Sequence, residues 1–179
     1  MKKIFAILAL AVSGTAFAAD YVSVDVENVL GRNGAGDSTA QYIRAGKEIG
    51  GIQFGLQQRT AQIVNNGGTL SSTELTAGKN IGGITPYVGV GHDNGLNGNS
   101  PYNYGLVGAQ YGTSIGPGFA LAGLKTRVGS TEVHATHQTV AYATYSVPVT
   151  KQLAVNLNVS RSTQDIKENA YGVGVKVGF

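Results

Sequence analysis

The residues in this chain that could do chemistry are charged side chains set into apolar runs at alternate positions. Asp25 and Glu27 interleave with Val24 and Val26. Arg44 stands between Ile43 and Ala45, and Glu48 follows on the same parity. Arg59 continues the odd-numbered side of a run whose even positions are Ile52, Phe54 and Leu56. Glu74 precedes Leu75, Lys125 and Arg127 share a parity, and Lys176 lies between Val175 and Val177. In an extended chain such spacing puts charge on one face and hydrocarbon on the other. Charges gathered on an enclosed face must be paired, hydrogen-bonded or hydrated. The chemistry open to them is an internal ion-pair network or the polar lining of a passage. Catalytic and metal-binding patterns are weak by comparison. His92-Asp93 is a local pair. His134 and His137 are three apart, which puts them on opposite faces if extended and argues against a shared metal. Asp93-Asn94-Gly95-Leu96-Asn97-Gly98 is faintly similar to a calcium loop, but its third position is glycine and its twelfth is Tyr104 instead of glutamate. Gly89-Val90-Gly91 and Gly172-Val173-Gly174 lack the strand–helix setting of a nucleotide loop. No catalytic residue, metal or cofactor is expected.

Composition narrows the elements that must position these groups. The chain has 179 residues, 42% hydrophobic and only 13% charged, with 27 glycines and no cysteine. Disulfide scaffolds, thiolate metal sites and cysteine nucleophiles are thereby excluded. A net charge of +3, two units of it from Lys2 and Lys3, is too small to imply nucleic acid. Residues 1–18 read as an export signal: a basic start, an apolar run from Ile4 to Val12, and the small-residue site Ala16-Phe17-Ala18. Residues 19–179 form one domain, with no apolar run long enough for a membrane-spanning helix.

Period-two alternation recurs along that domain. It is clear in Val22–Glu27, Ile52–Gln57, Leu153–Ser160 and Tyr171–Phe179. Turn signals alternate between longer polar loops (Gly31–Ser38, Asn65–Thr69, His92–Pro101, Gly129–Ala135, Ser162–Asn169) and tight turns (Ile49–Gly51, Asn80–Gly83, Ser114–Gly118, Val149–Gln152). These nine connections predict ten strands, near 20–30, 39–48, 52–63, 70–79, 84–91, 102–112, 119–128, 136–148, 153–161 and 170–179. The fold class is all-β: a single up-and-down antiparallel transmembrane barrel, with long loops outside the cell and tight turns in the periplasm. Apolar positions then face lipid and polar ones the lumen. Asp25, Glu27, Glu48 and Glu74 face inward, against Arg44, Arg59, Lys125, Arg127 and Lys176. On the seventh strand, inward Lys125 and Arg127 bring Phe119 and Leu121 inside with them. The sixth and eighth strands carry no decisive parity. Eight inward glycines (Gly46, Gly55, Gly78, Gly89, Gly91, Gly123, Gly172 and Gly174) either admit large neighbours such as Tyr87 or leave water-filled space.

The last ten residues, with Tyr171, Val173, Val175, Val177 and Phe179 at alternate positions, resemble the closing strand of a bacterial outer-membrane β-barrel. In that class the terminal aromatic strand is what the barrel-assembly machinery recognises, so the resemblance implies that partner, together with outer-membrane lipid and a monomeric state. The size is similar to the OmpX, OmpA membrane-domain and opacity class. Those barrels have eight strands, which stays as the alternative count. Tyr102, Tyr104, Tyr111, Tyr145 and Tyr171 lie near strand ends, where interfacial girdles are expected. Some barrels of this kind are rim-located proteases or lipid deacylases, and neither local pattern is present. The expected function is that of an outer-membrane barrel, structural or a narrow porin-like passage for small solutes. A surface-contact or adhesion barrel and an outer-rim hydrolase are the alternatives.

Overall fold

The computed structural model describes residues 20–31, 37–64, 67–96, 98, 101–130, 135–164 and 168–179. The export signal over residues 1–18 and His134 lie outside the described residues. The described chain forms β1 (Tyr21–Gly31), β2 (Ser38–Ile49), β3 (Ile52–Ile63), β4 (Thr69–Lys79), β5 (Ile84–Leu96), β6 (Tyr102–Ile115), β7 (Gly118–Ser130), β8 (Ala135–Pro148), β9 (Leu153–Gln164) and β10 (Glu168–Gly178). Each strand pairs antiparallel with its sequence neighbour. β1 pairs with β10 from Tyr21↔Gly178 to Gly31↔Glu168, which closes the sheet into a barrel. The ten-strand count holds and the eight-strand alternative does not.

Closure satisfies every strand edge, the condition for crossing hydrocarbon with strands. The tight turns lie at the end that also holds Tyr21 and Phe179. Gly50 and Gly51, with φ of 60° and 78°, make the two-residue β2–β3 turn in the left-handed region that a side chain resists. At the opposite end the strands run further than the sequence predicts. β5 continues to Leu96, and β10 already begins at Glu168. His92 and Asp93, expected in a loop, therefore sit on β5, and Glu168 is part of the sheet.

The two faces are inverted relative to a soluble protein. Val88 and Val90 are each 62% exposed, and Phe54, Leu56, Leu75, Val107, Leu124, Leu157, Val159 and Val173 are also exposed, forming an apolar outer wall. Asp25, Glu27, Ser72, Glu74, Gln138, Asn156 and Asn158 are buried on the inner face. The seventh strand follows its charges: Lys125 and Arg127 line the interior with Phe119 and Leu121, while Leu124 and Val128 are exposed outside. Tyr111 and Tyr171 are exposed on the outer wall. Tyr102 and Tyr104 depart from the girdle expectation. Both line the interior, and Tyr104 is buried against Glu74. A buried phenol needs a partner for its hydroxyl, and the lumen supplies one.

Candidate functional site

The inner wall is built from inward glycines and the large side chains that use their space. In the strand register Tyr21 stands opposite Gly46, Tyr87 opposite Gly108, Tyr104 opposite Gly91 and Tyr142 opposite Gly123. A Cβ at any of these glycines would lie closer than 3.0 Å to the facing tyrosine ring. The rings thus lie flat along the wall instead of standing into the lumen. Gly174 and Gly172 do the same for acids: a Cβ there would strike Asp25 and Glu27 respectively. The glycines are occupied by neighbours, yet the wall they create remains thin.

Across Gly174, the fully buried carboxylate of Asp25 reaches from β1 to β9. Asn156 and Asn158 donate their Nδ2 groups to its Oδ1 at 3.2 and 2.9 Å. Ser23 donates to its Oδ2 at 3.0 Å, and Arg44 Nη1 at 2.5 Å. The asparagines are held by Ser146 and Thr144, each donating to an amide oxygen at 2.8 Å. Arg44 continues the chain. Its Nη2 pairs with Glu27 at 3.4 Å, its Nε donates to Gln57 Oε1 at 3.0 Å, and its guanidinium lies 4.3 Å from the Tyr42 ring centroid. Gln57 donates to Glu74 Oε2 at 3.3 Å.

Glu74 is the centre of the network. From β4 it passes over Gly91 on β5 to accept from Tyr104 Oη at 3.1 Å on β6. It meets Lys125 Nζ at 2.7 Å and Arg127 Nη2 at 2.5 Å on β7. Arg127 is anchored in turn by donating Nη1 to Gln138 on β8. Hydrogen bonds and ion pairs thus run through β9, β1, β2, β3 and β4 and then cross the lumen to β7 and β8. A second rung links Tyr87 to Tyr142, and Tyr142 donates to Gln110, both at 3.1 Å. Pairing of this density is what makes charge tolerable in a low-dielectric interior.

Of the nine charged residues the sequence places inside, Asp25, Glu27, Arg44, Glu74, Lys125 and Arg127 meet in this one network. Lys176 lines the interior with its ammonium 4.3 Å from the Tyr21 ring centroid. Arg59 pairs with Glu168 at 3.8 Å, away from the others. Glu48 keeps the inward parity but is exposed at the tight-turn rim, where its backbone N–H donates to Asp20. Asn156, Asn158 and Glu168 join the lumen groups without a role assigned from the sequence, and Tyr104 joins them from the girdle that the sequence predicts for it. The strict alternation of β9 carries the signal for the two asparagines, since its apolar odd positions force the even ones inward.

The interior holds a cavity of about 1240 Å³. Its lining runs from Glu48 and Asn80 at one rim to Asp93 and Glu168 at the other, past Glu74, Lys125 and Arg127. His92 faces outward, with its Nδ1 2.8 Å from Asn103 Oδ1 and its Nε2 3.0 Å from Asn94 Oδ1, while Asp93 lines the interior. The two side chains lie on opposite faces and cannot exchange a proton directly. Among the described residues no group of three His, Cys, Asp or Glu converges on a metal-sized site.

A closed ten-stranded antiparallel barrel, apolar outside and charged inside, defines the transmembrane β-barrel class. No family model matches the sequence, and neither does any curated protein. Solved structures do. The translocator domain of the autotransporter NalP from Neisseria meningitidis aligns with a TM-score of 0.52 and 12% identity over 98% of this chain and 96% of that one. The β domain of the Bordetella autotransporter BrkA gives 0.53 and 10% over 90% and 99%. Neisserial surface protein A gives 0.47 and 14% over 89% and 96%. The structural neighbours are bacterial outer-membrane β-barrels, and the likeness is one of fold.

Proposed function

We propose that this chain is a non-enzymatic outer-membrane barrel forming a narrow passage for small hydrophilic solutes, with its constriction where Glu74 meets Lys125 and Arg127. One observation carries the reading: an interior cavity whose lining carries charged side chains from rim to rim, Glu48 at one end, Glu74, Lys125 and Arg127 between, and Asp93 and Glu168 at the other. The tight-turn end, which holds Tyr21 and Phe179, faces the periplasm and the long-loop end faces outward, as in an up-and-down barrel of this class. Ten strands lie near the size at which side chains fill the interior, so the inward glycines are what leave room. The crossing ion pairs favour a second reading, a structural barrel closed at mid-height.

Planar-bilayer conductance of the refolded barrel separates the two. The passage reading expects small discrete steps in the wild type and larger ones in Arg127→Ala, which removes the side chain spanning the constriction. A silent wild type that conducts only after Arg127→Ala supports the closed barrel. Silence in both defeats the passage.

A further inference from the structure

Arg59 differs from the other two lumen arginines, Arg44 and Arg127, in how its donors are used. Arg44 holds two carboxylates and Arg127 one, and each also holds a glutamine amide oxygen at hydrogen-bond distance. Arg59 Nε is buried and has no hydrogen-bond partner among the described residues. Its Nη2 has one ion pair among those residues, to Glu168, and that pair is long at 3.8 Å. The Nε–H and Nη2 donors form one edge of a guanidinium, the edge that grips a planar oxyanion with two parallel hydrogen bonds. A buried donor left unpaired is costly, so this edge calls for an acceptor.

The surroundings fit such an acceptor. Arg59 lines the cavity in its long-loop half, above the Glu74 constriction, and its side chain keeps 15% exposure. Tyr42 stands opposite it in the register, with its phenol within electrostatic range of the guanidinium. Tyr102 lies within electrostatic range of both Arg59 and Arg127. Glu168 and Asp93 line the same end of the cavity. A solute with a second negative charge would meet these two acids, so the site suits a single one.

From this geometry we infer that Arg59, with Tyr42 and Tyr102 beside it, forms a subsite for a small solute bearing one carboxylate, which displaces the loose contact of Glu168. The inference deepens the passage reading by naming the class of solute that pauses above the constriction.

The test is binding to the barrel refolded in detergent micelles, which needs no conductance. Acetate is titrated at constant ionic strength while the arginine Nε–H resonances are followed by NMR, with inorganic phosphate as the comparison anion. Acetate is expected to shift one Nε–H resonance saturably, and that resonance is expected to be missing in Arg59→Lys. Glu168→Gln removes the internal competitor and should tighten acetate by roughly two- to fivefold, the worth of a loosely held, partly exposed pair. Phosphate should bind more weakly than acetate. No saturable shift in the wild type, or the same shift surviving in Arg59→Lys, overturns the subsite. Weaker binding in Glu168→Gln overturns it as well, and that variant decides alone if Arg59→Lys does not fold. Tighter phosphate overturns the assignment to a singly charged carboxylate. Binding without conductance leaves the subsite standing and defeats the passage, and conductance without binding does the reverse.

Discussion

Glu74 on β4 and Arg127 on β7 meet at 2.5 Å although two strands, β5 and β6, separate them in the wall. The carboxylate also holds Lys125, so one buried anion compensates two cations. Removing it leaves both cations enclosed without their counter-charge, a situation that typically costs about 3–5 kcal/mol. Glu74→Gln is therefore expected to lower stability by an amount near the lower end of that range, because the cavity admits some water. Urea unfolding in lipid vesicles measures it. The double variant Glu74→Gln with Lys125→Met should lose less than the sum of the two single losses, since the second change removes a charge the first has stranded. Strict additivity would show that the residues are not coupled.

Gly91 and Tyr104 form a second such relationship, through shape. The three atoms nearest to a Cβ at Gly91 all belong to the Tyr104 phenol, whose hydroxyl is bonded to Glu74. Gly91→Ala is expected to push the ring off that bond and cost about 1–3 kcal/mol, as overpacking does. In a Tyr104→Ala background the same alanine should cost little, because nothing remains for it to strike. An equal loss in both backgrounds, by the same unfolding measurement, would place the effect in the backbone of β5 instead.

The nine turn connections made the strand count and order legible in the sequence, and the period-two runs most of the facing. Over Val22–Glu27, Ile52–Gln57, Leu153–Ser160 and Tyr171–Gly178 one parity is apolar and the other polar or small, so a slip of one residue is excluded by the solvent on each side. β6 lacks that division. Tyr102, Tyr104 and Leu106 share one face, while Val107 and Tyr111 share the other with Asn103 and Gly105. Both faces are mixed, and a tyrosine near a strand end suits a lipid interface as well as a lumen. Only the fold decides that Tyr104 goes inward to Glu74. Partners across the lumen were illegible for a different reason. Alternation says that Asp25 and Asn158 face inward, but their meeting depends on the register of β10 between them and on Gly172 and Gly174 leaving it thin. Glu168 was hidden by its nearness to a polar loop.

The facing of β7 can be checked directly, because its charges and its apolar residues pull in opposite directions. Leu124 is 58% exposed on the outer wall and Lys125 lines the interior. Leu124→Arg puts a cation into hydrocarbon and should cost about 2–4 kcal/mol if it lies near the bilayer midplane. Leu121→Arg points into the lumen and should cost clearly less in vesicle refolding. The reverse order would mean that β7 is flipped.

The C-terminal strand links the fold to assembly. Tyr171, Val173, Val175 and Phe179 are exposed on the outer wall, and Val177 is partly buried in the same row. Phe179 lies beyond the last ladder pair, and its backbone N–H donates to Asp20 at 3.1 Å. The residue is 56% exposed, so it contributes little packing to the finished barrel. A role in recognition by the assembly machinery, which we propose from the resemblance of this strand, predicts a split between two measurements. Deleting Phe179 should sharply reduce outer-membrane yield in cells, while spontaneous refolding in detergent, read by heat-modifiable gel migration, stays close to wild type. Val177→Asp should behave differently. It places an acid within the ladder row facing lipid, where the penalty is smaller than the roughly 2–4 kcal/mol of a midplane cation but is still a cost to the folded barrel. That variant should weaken both cellular yield and stability in vesicles. Loss of detergent refolding on deletion of Phe179 would assign the residue to stability, and normal cellular yield would remove it from assembly altogether.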